Sequence, residues 1–172
     1  METLKIRNAR PQDLRPIVAI YNQAIASRRS TGHMDPFNTD QRRSWFEAFD
    51  FKSSALYVAD TDGRVAGYGT LTPYRAGRRA MNRVAEVSFF VDFDLHGRGV
   101  GKALLAHMIR QAPTLQKDSL LAILLDINQP SVALLEKFGF ERWGHLPGII
   151  DFEGRRCGQY IYGRYVRETT AL

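Results

Sequence analysis

A glycine-rich turn between a strand-like run and a helical pattern constrains this chain more than any other feature. Residues 85–91 are mostly apolar and β-prone, which predicts a strand. Apolar residues between Lys102 and Ile109 recur with a helical period. The intervening stretch contains HGRGVG at residues 96–101. A glycine-rich turn before a helix leaves N–H groups unpaired at the positive end of the helix dipole, where phosphate binds well. The sequence therefore predicts a ligand that carries phosphate.

Two common phosphate-binding loops do not fit this turn. A P-loop ending on Gly101 and Lys102 requires glycine at position 96 and serine or threonine at position 103, where the chain has histidine and alanine. A dinucleotide-binding fingerprint requires a third glycine at position 102 or 104, where lysine and leucine stand. The turn therefore indicates another class of phosphate site.

Composition limits the class of protein. A chain of 172 residues with 44% hydrophobic and 24% charged residues is typical of one globular domain, here residues 1–172. The longest apolar run, residues 120–125, is too short to span a membrane, and the N-terminus does not resemble a signal peptide. A single cysteine, Cys157, excludes an internal disulfide and a cysteine metal cluster, and it fits a reducing, cytoplasmic location. We expect no membrane partner.

The charge distribution favours an anionic small molecule over nucleic acid. The net charge is +6, but the arginines are scattered and no nucleic-acid-binding motif accompanies them. His33, His107 and His145 are isolated in the sequence, without a recurring ligand spacing. We therefore expect neither a nucleic-acid partner nor a bound metal.

The remaining pattern predicts an α/β protein with a mixed sheet covered by helices. The order is strand, two helices, three strands, helix, strand, helix and two strands. The aromatic residues Trp45, Phe46 and Phe49 of the second helix are interpreted as core packing. Residues 119–127 are nearly all apolar, which predicts a strand buried on both faces.

Two motifs together resemble the GNAT superfamily of N-acetyltransferases. HGRGVG is similar to its pyrophosphate-binding motif, with Gly99 and Gly101 in place and His96 replacing the usual glutamine or arginine. NQPSVALLEKFGF, residues 128–140, resembles the segment that closes over coenzyme A. The match is closest to the phosphinothricin acetyltransferase-like, or L-amino acid N-acetyltransferase, branch. Residues 20–22, residues 44–46 and the acidic Glu86 carry that closer likeness.

The resemblance implies a fold and a reaction. The expected fold is the GNAT acyltransferase fold, a twisted, mostly antiparallel mixed sheet of about seven strands flanked by about four helices. The expected cosubstrate is acetyl-CoA, without a metal. The expected acceptor is the primary amine of a small amino-acid-like molecule. A homodimer is also implied, formed through the C-terminal strands or the second helix.

The resemblance also implies roles for particular residues. Glu86 would be the general base, acting directly or through a water, and its apolar neighbours in the sequence predict a raised pKa. Its other interpretation is an outward-facing strand residue paired with an arginine. Tyr74 and Arg75 would bind the acceptor together with Glu86, although Arg75 is equally well interpreted as a solvent-exposed side chain. The cofactor-binding residues would be Phe89, Phe90, Val91, Gly97, Arg98, Gly99, Val100, Gly101, Lys102, Asn128 and Lys137.

Within that set the expected contacts differ. The backbone of Phe89, Phe90 and Val91 would bind the pantetheine arm, and the N–H of Phe90 or Val91 would stabilise the oxyanion. The amides of residues 97–102 would hold the pyrophosphate. Asn128 would contact the pantetheine or its phosphate end, and Lys137 the nucleotide end.

Two departures leave alternatives open. Leu135 stands where many superfamily members have a tyrosine that protonates the leaving thiolate, and the C-terminal strands lack the Phe-Gly-Arg-Trp sequence of the closest branch. The chain could therefore be a non-catalytic acetyl-CoA-binding module, or it could acetylate a protein N-terminus or lysine. A longer acyl donor also stays open. Cys157 is interpreted as a packed or edge-strand thiol rather than a nucleophile.

Overall fold

The computed structural model describes residues 4–167 and contains one seven-stranded sheet, with strand order β1-β2-β3-β4-β5-β7-β6. Only β4 and β5 run parallel, and every other neighbouring pair is antiparallel. The expected mixed, mostly antiparallel sheet with four α-helices is confirmed. In chain order the elements are β1 Leu4–Asn8, α1 Leu14–Ser27, α2 Thr39–Glu47, β2 Ala55–Thr61, β3 Arg64–Pro73, β4 Val84–Val91, α3 Val100–Gln111, β5 Ser119–Leu125, α4 Gln129–Lys137, β6 Glu141–Phe152 and β7 Arg155–Tyr165.

The two faces of the sheet carry different helices because successive strand residues point to opposite sides. Apolar residues of α3 and α4 pack with Ala85 and Val87 of β4 in the larger core cluster. Residues of α1 pack with Leu56 and Tyr68 in the second cluster. Glu86, which lies between Ala85 and Val87, therefore points to the α1 side of the sheet.

The aromatic residues of α2 are part of the packing, as the sequence predicts. Trp45, Phe46 and Phe49 are partly buried against the α1 cluster. Asn38 is the N-cap of this helix, and its side-chain oxygen accepts a hydrogen bond from the Gln41 amide at 2.9 Å. Capping and aromatic burial together hold a short helix that buries no residue completely.

The last two strands form a long hairpin. β6 has 12 residues and β7 has 11, joined through Glu153 and Gly154. β5 ends at Leu125, two residues earlier than predicted, and the Asp126 amide then donates to the Gly158 carbonyl at 3.0 Å. β6 lies at the edge of the sheet and is mostly exposed.

Gly67 lets β3 approach β4 closely, which gives a first testable prediction. A Cβ at Gly67 would lie 2.8 Å from the Phe90 carbonyl oxygen, whereas one at Gly144 would meet Ile161 no closer than 3.6 Å. We expect Gly67→Ala to lower the free energy of unfolding by about 1–3 kcal/mol, because backbone must move. Gly144→Ala, the matched control, should be nearly neutral. Urea denaturation compares the two, and equal stabilities would contradict the prediction.

Candidate functional site

A wedge-shaped cleft opens between the two parallel strands. β4 and β5 are paired only from Val84 to Glu86 and from Ser119 to Leu121. Beyond that point β4 remains paired with β3 as far as Val91, while β5 remains paired with β7 as far as Leu125. Each strand follows its outer partner, so the two separate. The closed end of the cleft therefore lies at Glu86, and its open end lies beside Val91.

Hydrogen bonds at both ends of β4 show which backbone groups face the cleft. The Tyr74 amide donates to the Val84 carbonyl at 3.2 Å, and the Asp92 amide donates to the Ala66 carbonyl at 2.9 Å. Even-numbered residues of β4 therefore direct their peptide groups toward β3, and odd-numbered residues direct theirs toward the cleft. Of the two amides expected to stabilise an oxyanion, that of Val91 faces the cleft and that of Phe90 faces β3.

The glycine-rich turn has the backbone geometry of an anion cradle, which we define as residues 97–102. Gly97 and Gly99 have φ of 76° and 82°, conformations that favour glycine. Gly99 is the N-cap of α3, and because it has no side chain it provides no side-chain acceptor for the amides of the first turn. The first intrahelical bond runs from the Ala103 amide to the Gly99 carbonyl at 3.0 Å. The amides of Val100, Gly101 and Lys102 consequently have no intrahelical acceptor.

The anion cradle, β4 and α4 converge at the open end of the cleft. A Cβ on Gly101 would lie 3.5 Å from Leu134, 3.6 Å from Val91 and 3.7 Å from Phe89. His96, at the first position of the motif, places Nε2 3.1 Å from the Val91 carbonyl oxygen. A ligand held by the cradle could therefore extend directly into the cleft.

The residues of α4 have different surroundings. Asn128 caps the helix, since its side-chain oxygen accepts from the Ser131 amide at 3.4 Å, and within residues 4–167 its Nδ2 group donates to no protein acceptor. Leu135 is 1% exposed and belongs to the core, so it contributes no cleft group. Lys137 is exposed at the C-terminal end of the helix, beside a 630 Å³ surface depression that also contains Trp143 and Tyr165.

Glu86 is the titratable side chain at the closed end of the cleft. It is half-buried, and desolvation raises the pKa of its carboxyl group, as its apolar neighbours predict. Thr72 lies opposite it on β3. Among residues 4–167 no arginine or lysine lies within 4.0 Å of the Glu86 carboxylate. The interpretation of Glu86 as half of an ion pair therefore has no support in this part of the chain.

Tyr74 and Arg75 follow β3 on the same side of the sheet as Glu86. Tyr74 is half-buried opposite Val84, and the guanidinium carbon of the exposed Arg75 lies 5.3 Å from the Tyr74 ring centroid. The two residues form an aromatic and cationic border near the closed end.

The position of the loop between α1 and α2, on this side of the cleft, was not predicted from the sequence. Residues 28–38 connect α1 with α2, and the Tyr21 hydroxyl lies 2.5 Å from His33 Nδ1. Asn22 exchanges two hydrogen bonds with the Phe37 backbone, at 2.8 and 2.9 Å. The adjacent Tyr21 and Asn22 were a signal for this arrangement, because both side chains are used to fix the loop.

Other groups in the described chain have ordinary structural surroundings. Cys157 is buried against Leu125 and Phe152, and burial raises the pKa of its thiol, consistent with a packed cysteine. Across residues 4–167 no group of three or more histidine, cysteine, aspartate or glutamate side chains could hold a metal ion. None of the helices in that range is long and apolar enough to cross a membrane.

Comparisons with known proteins agree with the fold. The family model described as "Acetyltransferase (GNAT) family" matches residues 18–140. The chain is 41% identical to "Putative phosphinothricin acetyltransferase YwnH" of Bacillus subtilis, over 94% of this chain and 98% of that protein. It is 30% identical to an L-methionine sulfoximine/L-methionine sulfone acetyltransferase of Pseudomonas paraeruginosa, over 91% of this chain and 88% of the other.

A solved structure with bound cofactor has the same architecture. A GNAT superfamily phosphinothricin acetyltransferase from Sinorhizobium meliloti, in complex with acetyl-CoA, superposes with a TM-score of 0.88 at 26% identity. The match covers 95% of this chain and 88% of that one. The family model and the extent of these matches lead to one conclusion: this chain belongs to the GNAT family of acetyltransferases, and it resembles members of the phosphinothricin and L-amino acid acetyltransferase branch.

Proposed function

We propose that this acetyltransferase moves the acetyl group of acetyl-CoA to the primary amine of a small amino-acid-like acceptor, by direct attack of the amine on the thioester. The observation that carries the proposal is a half-buried Glu86 carboxylate at the closed end of a cleft whose open end meets an anion cradle. Relatives named for phosphinothricin, methionine sulfone and methionine sulfoximine support a small amino-acid-like acceptor.

The proposed cofactor position follows the cleft from its open end. The pyrophosphate lies on the amides of the anion cradle, where the dipole of α3 favours negative charge. The pantetheine arm runs along Phe89, Phe90 and Val91, with the cleft-facing carbonyl group of Phe89 available to its amides. Asn128 Nδ2 donates to the arm, and Lys137 lies toward the nucleotide end.

In the proposed reaction each proton and bond has a defined partner. Glu86 accepts a proton from the acceptor amine, directly or through a water, since only the neutral amine attacks. The N–C bond forms while a cleft-facing backbone amide of β4, that of Phe89 or Val91, stabilises the developing oxyanion. The C–S bond then breaks, and a thiolate with an ordinary pKa of about 8.5 is a good leaving group. Leu135 has no ionisable group, so solvent takes the second proton from the attacking nitrogen and protonates the thiolate.

The acceptor is proposed to bind between Glu86 and the Tyr74–Arg75 border. Arg75 is exposed and carries no ion pair among residues 4–167, so its guanidinium is available to hold an acceptor carboxylate with two hydrogen bonds. Tyr74 lies beneath that guanidinium. A small molecule is the proposed partner, and no nucleic acid or membrane is required.

Thiol release from acetyl-CoA tests the proposed function. The acceptors are a panel of free amino acids with methionine sulfone, methionine sulfoximine and phosphinothricin. We expect turnover with at least one of these amines and a product acetylated at its amino group by mass spectrometry. Binding of acetyl-CoA without turnover of any small amine would contradict the proposal, and a lysine-containing peptide panel would then test a protein acceptor.

A homodimer is proposed through the C-terminal strands. β6 is an edge strand that exposes Trp143, Leu146 and Ile149, with Ile149 57% exposed. A long edge strand with exposed apolar side chains favours contact with another protein surface. By contrast, α2 uses its aromatic residues internally. Sedimentation velocity measures the mass of the assembly directly.

A further inference from the structure

The loop between α1 and α2, residues 28–38, is held in place by specific bonds. Arg28 ends α1 with a φ of 55° and donates from Nη1 to the Met34 carbonyl at 2.6 Å. Asn22 fixes the other end through its two bonds with the Phe37 backbone. Arg42 lies over the Phe37 ring, 5.1 Å from its centroid. The loop is therefore an ordered part of the fold.

This loop spans the cleft on the Glu86 side of the sheet. Tyr21, which holds the loop at His33, packs edge-on against Phe90 of β4 with ring centroids 5.0 Å apart. Met34, the next residue, packs against the cluster that Leu125 of β5 forms with Phe152 and Cys157. Phe90 and Leu125 lie on the two arms of the cleft and on the same face as Glu86, by strand alternation. Residues 33 and 34 therefore roof the acceptor side of the cleft.

The ring of His33 has a fixed orientation and an available nitrogen. Its Nδ1 lies 2.5 Å from the Tyr21 hydroxyl, which also lies 2.9 Å from the Thr31 hydroxyl. Its ring packs edge-on against Phe37, with centroids 5.1 Å apart. When Tyr21 donates to Nδ1, the neutral imidazole carries its proton on Nε2. Within residues 4–167 this nitrogen has no protein acceptor, and His33 is exposed.

We propose that His33 determines acceptor specificity by donating its Nε2–H to an oxygen on the acceptor side chain. This inference rests on the proposed function. With the amine at Glu86 and the carboxylate at Arg75, the third end of an amino-acid-like acceptor is directed to the roof of the cleft. A tetrahedral head with oxygen atoms, such as a sulfone or phosphinate, accepts such a bond, whereas a plain alkyl or thioether chain does not.

The test compares methionine sulfone with methionine, which lacks the two sulfonyl oxygens. We expect wild type to prefer the sulfone by about tenfold in kcat/KM, which corresponds to one net hydrogen bond. A larger factor is not expected, because His33 is exposed and water can replace its bond. His33→Phe keeps the ring contacts and removes the donor, so the preference should fall to about one through a higher KM for the sulfone. His33→Gln keeps a donor and should retain part of the preference.

Thr31→Val is the matched control, because it removes the hydroxyl that contacts Tyr21 and accepts from the His33 amide at 3.3 Å, while leaving the bond between Tyr21 and Nδ1 and the Nε2 donor. It should keep the wild-type preference. The inference is overturned if His33→Phe keeps the preference, if Thr31→Val loses it equally, or if active wild type shows no preference. An inactive wild type across all small amines instead overturns the proposed function, and the inference with it.

Discussion

Replacing Glu86 by glutamine should lower kcat for the preferred amine by about 100- to 10,000-fold, the usual contribution of a general base. The amide has nearly the same shape but cannot accept the amine proton. Acetyl-CoA affinity should be unchanged, because none of the proposed cofactor contacts is made by the Glu86 side chain. Thiol release and calorimetric titration with acetyl-CoA measure the two quantities separately.

The pH profile gives a second measure of the same group. Burial raises the pKa of Glu86, so the ionised base is lost as pH falls through this raised value, and kcat/KM should fall with it. In Glu86→Gln that dependence should disappear, leaving only the ionisation of the acceptor amine. A mutant that retains the full acid limb would show that another group is the base.

As the pH rises, the contribution of Glu86 to folding stability should fall, whereas its contribution to activity should rise. A glutamate whose folded-state pKa is raised favours folding in its protonated form, so this contribution is present at low pH and is lost as pH rises through the folded-state value. At pH 8 Glu86→Gln should therefore be at least as stable as wild type in thermal denaturation. Glu47→Gln, an exposed change at the end of α2, is the control and should alter neither activity nor its pH profile.

Replacing Lys102 by glutamate should weaken acetyl-CoA binding by about 10- to 100-fold. Lys102 is the third residue of α3, exposed beside the amides of the anion cradle. The change removes one cation and places a carboxylate where the proposed pyrophosphate lies. An acidic residue in the first helical turn is favourable for the helix itself, so the free energy of unfolding should stay constant or rise slightly.

Arg110→Glu provides the matched control on the same helix. It changes net charge by the same amount but lies in the last turn of α3, where a cation is favourable. We expect a small loss of stability and unchanged acetyl-CoA affinity. Calorimetric titration with acetyl-CoA at low and moderate salt separates the two variants. Salt should screen the repulsion between the carboxylate introduced by Lys102→Glu and the pyrophosphate, and so reduce the loss of affinity, whereas Arg110→Glu should show no loss at either salt concentration. Equal losses of affinity in both variants would assign the effect to overall charge.

Two properties of the cleft were predictable from the sequence: the backbone conformation of the glycine-rich turn and the raised pKa of Glu86. Glycine at positions 97 and 99 indicates positive φ, and both residues adopt it. The apolar neighbours of Glu86 predict desolvation, and the pKa is raised. Both properties are local, since they depend on a residue type and its immediate neighbours in the chain.

Local patterns could not assign groups that come together from distant elements. The choice between the Phe90 and Val91 amides depends on the register of β4 against β3, which the hydrogen bonds of Tyr74 and Asp92 reveal. The position of His33 depends on a bond to Tyr21 twelve residues earlier and on the contact between Tyr21 and Phe90. His33 belongs to no recognisable motif, although its partner Tyr21 lies within residues 20–22, which carry the likeness to the branch.

The sequence by itself determined the class of fold, the glycine-rich turn before α3 and the acidic residue of the central strand. These follow from hydrophobic period and from glycine, whose effects act over a few residues. Only the tertiary structure decided where β4 and β5 separate, which amides enter the cleft and which loop covers it. Those features arise because each of the two parallel strands keeps its antiparallel partner on its outer edge, β3 for β4 and the distant β7 for β5, so that the two diverge beyond Glu86 and Leu121.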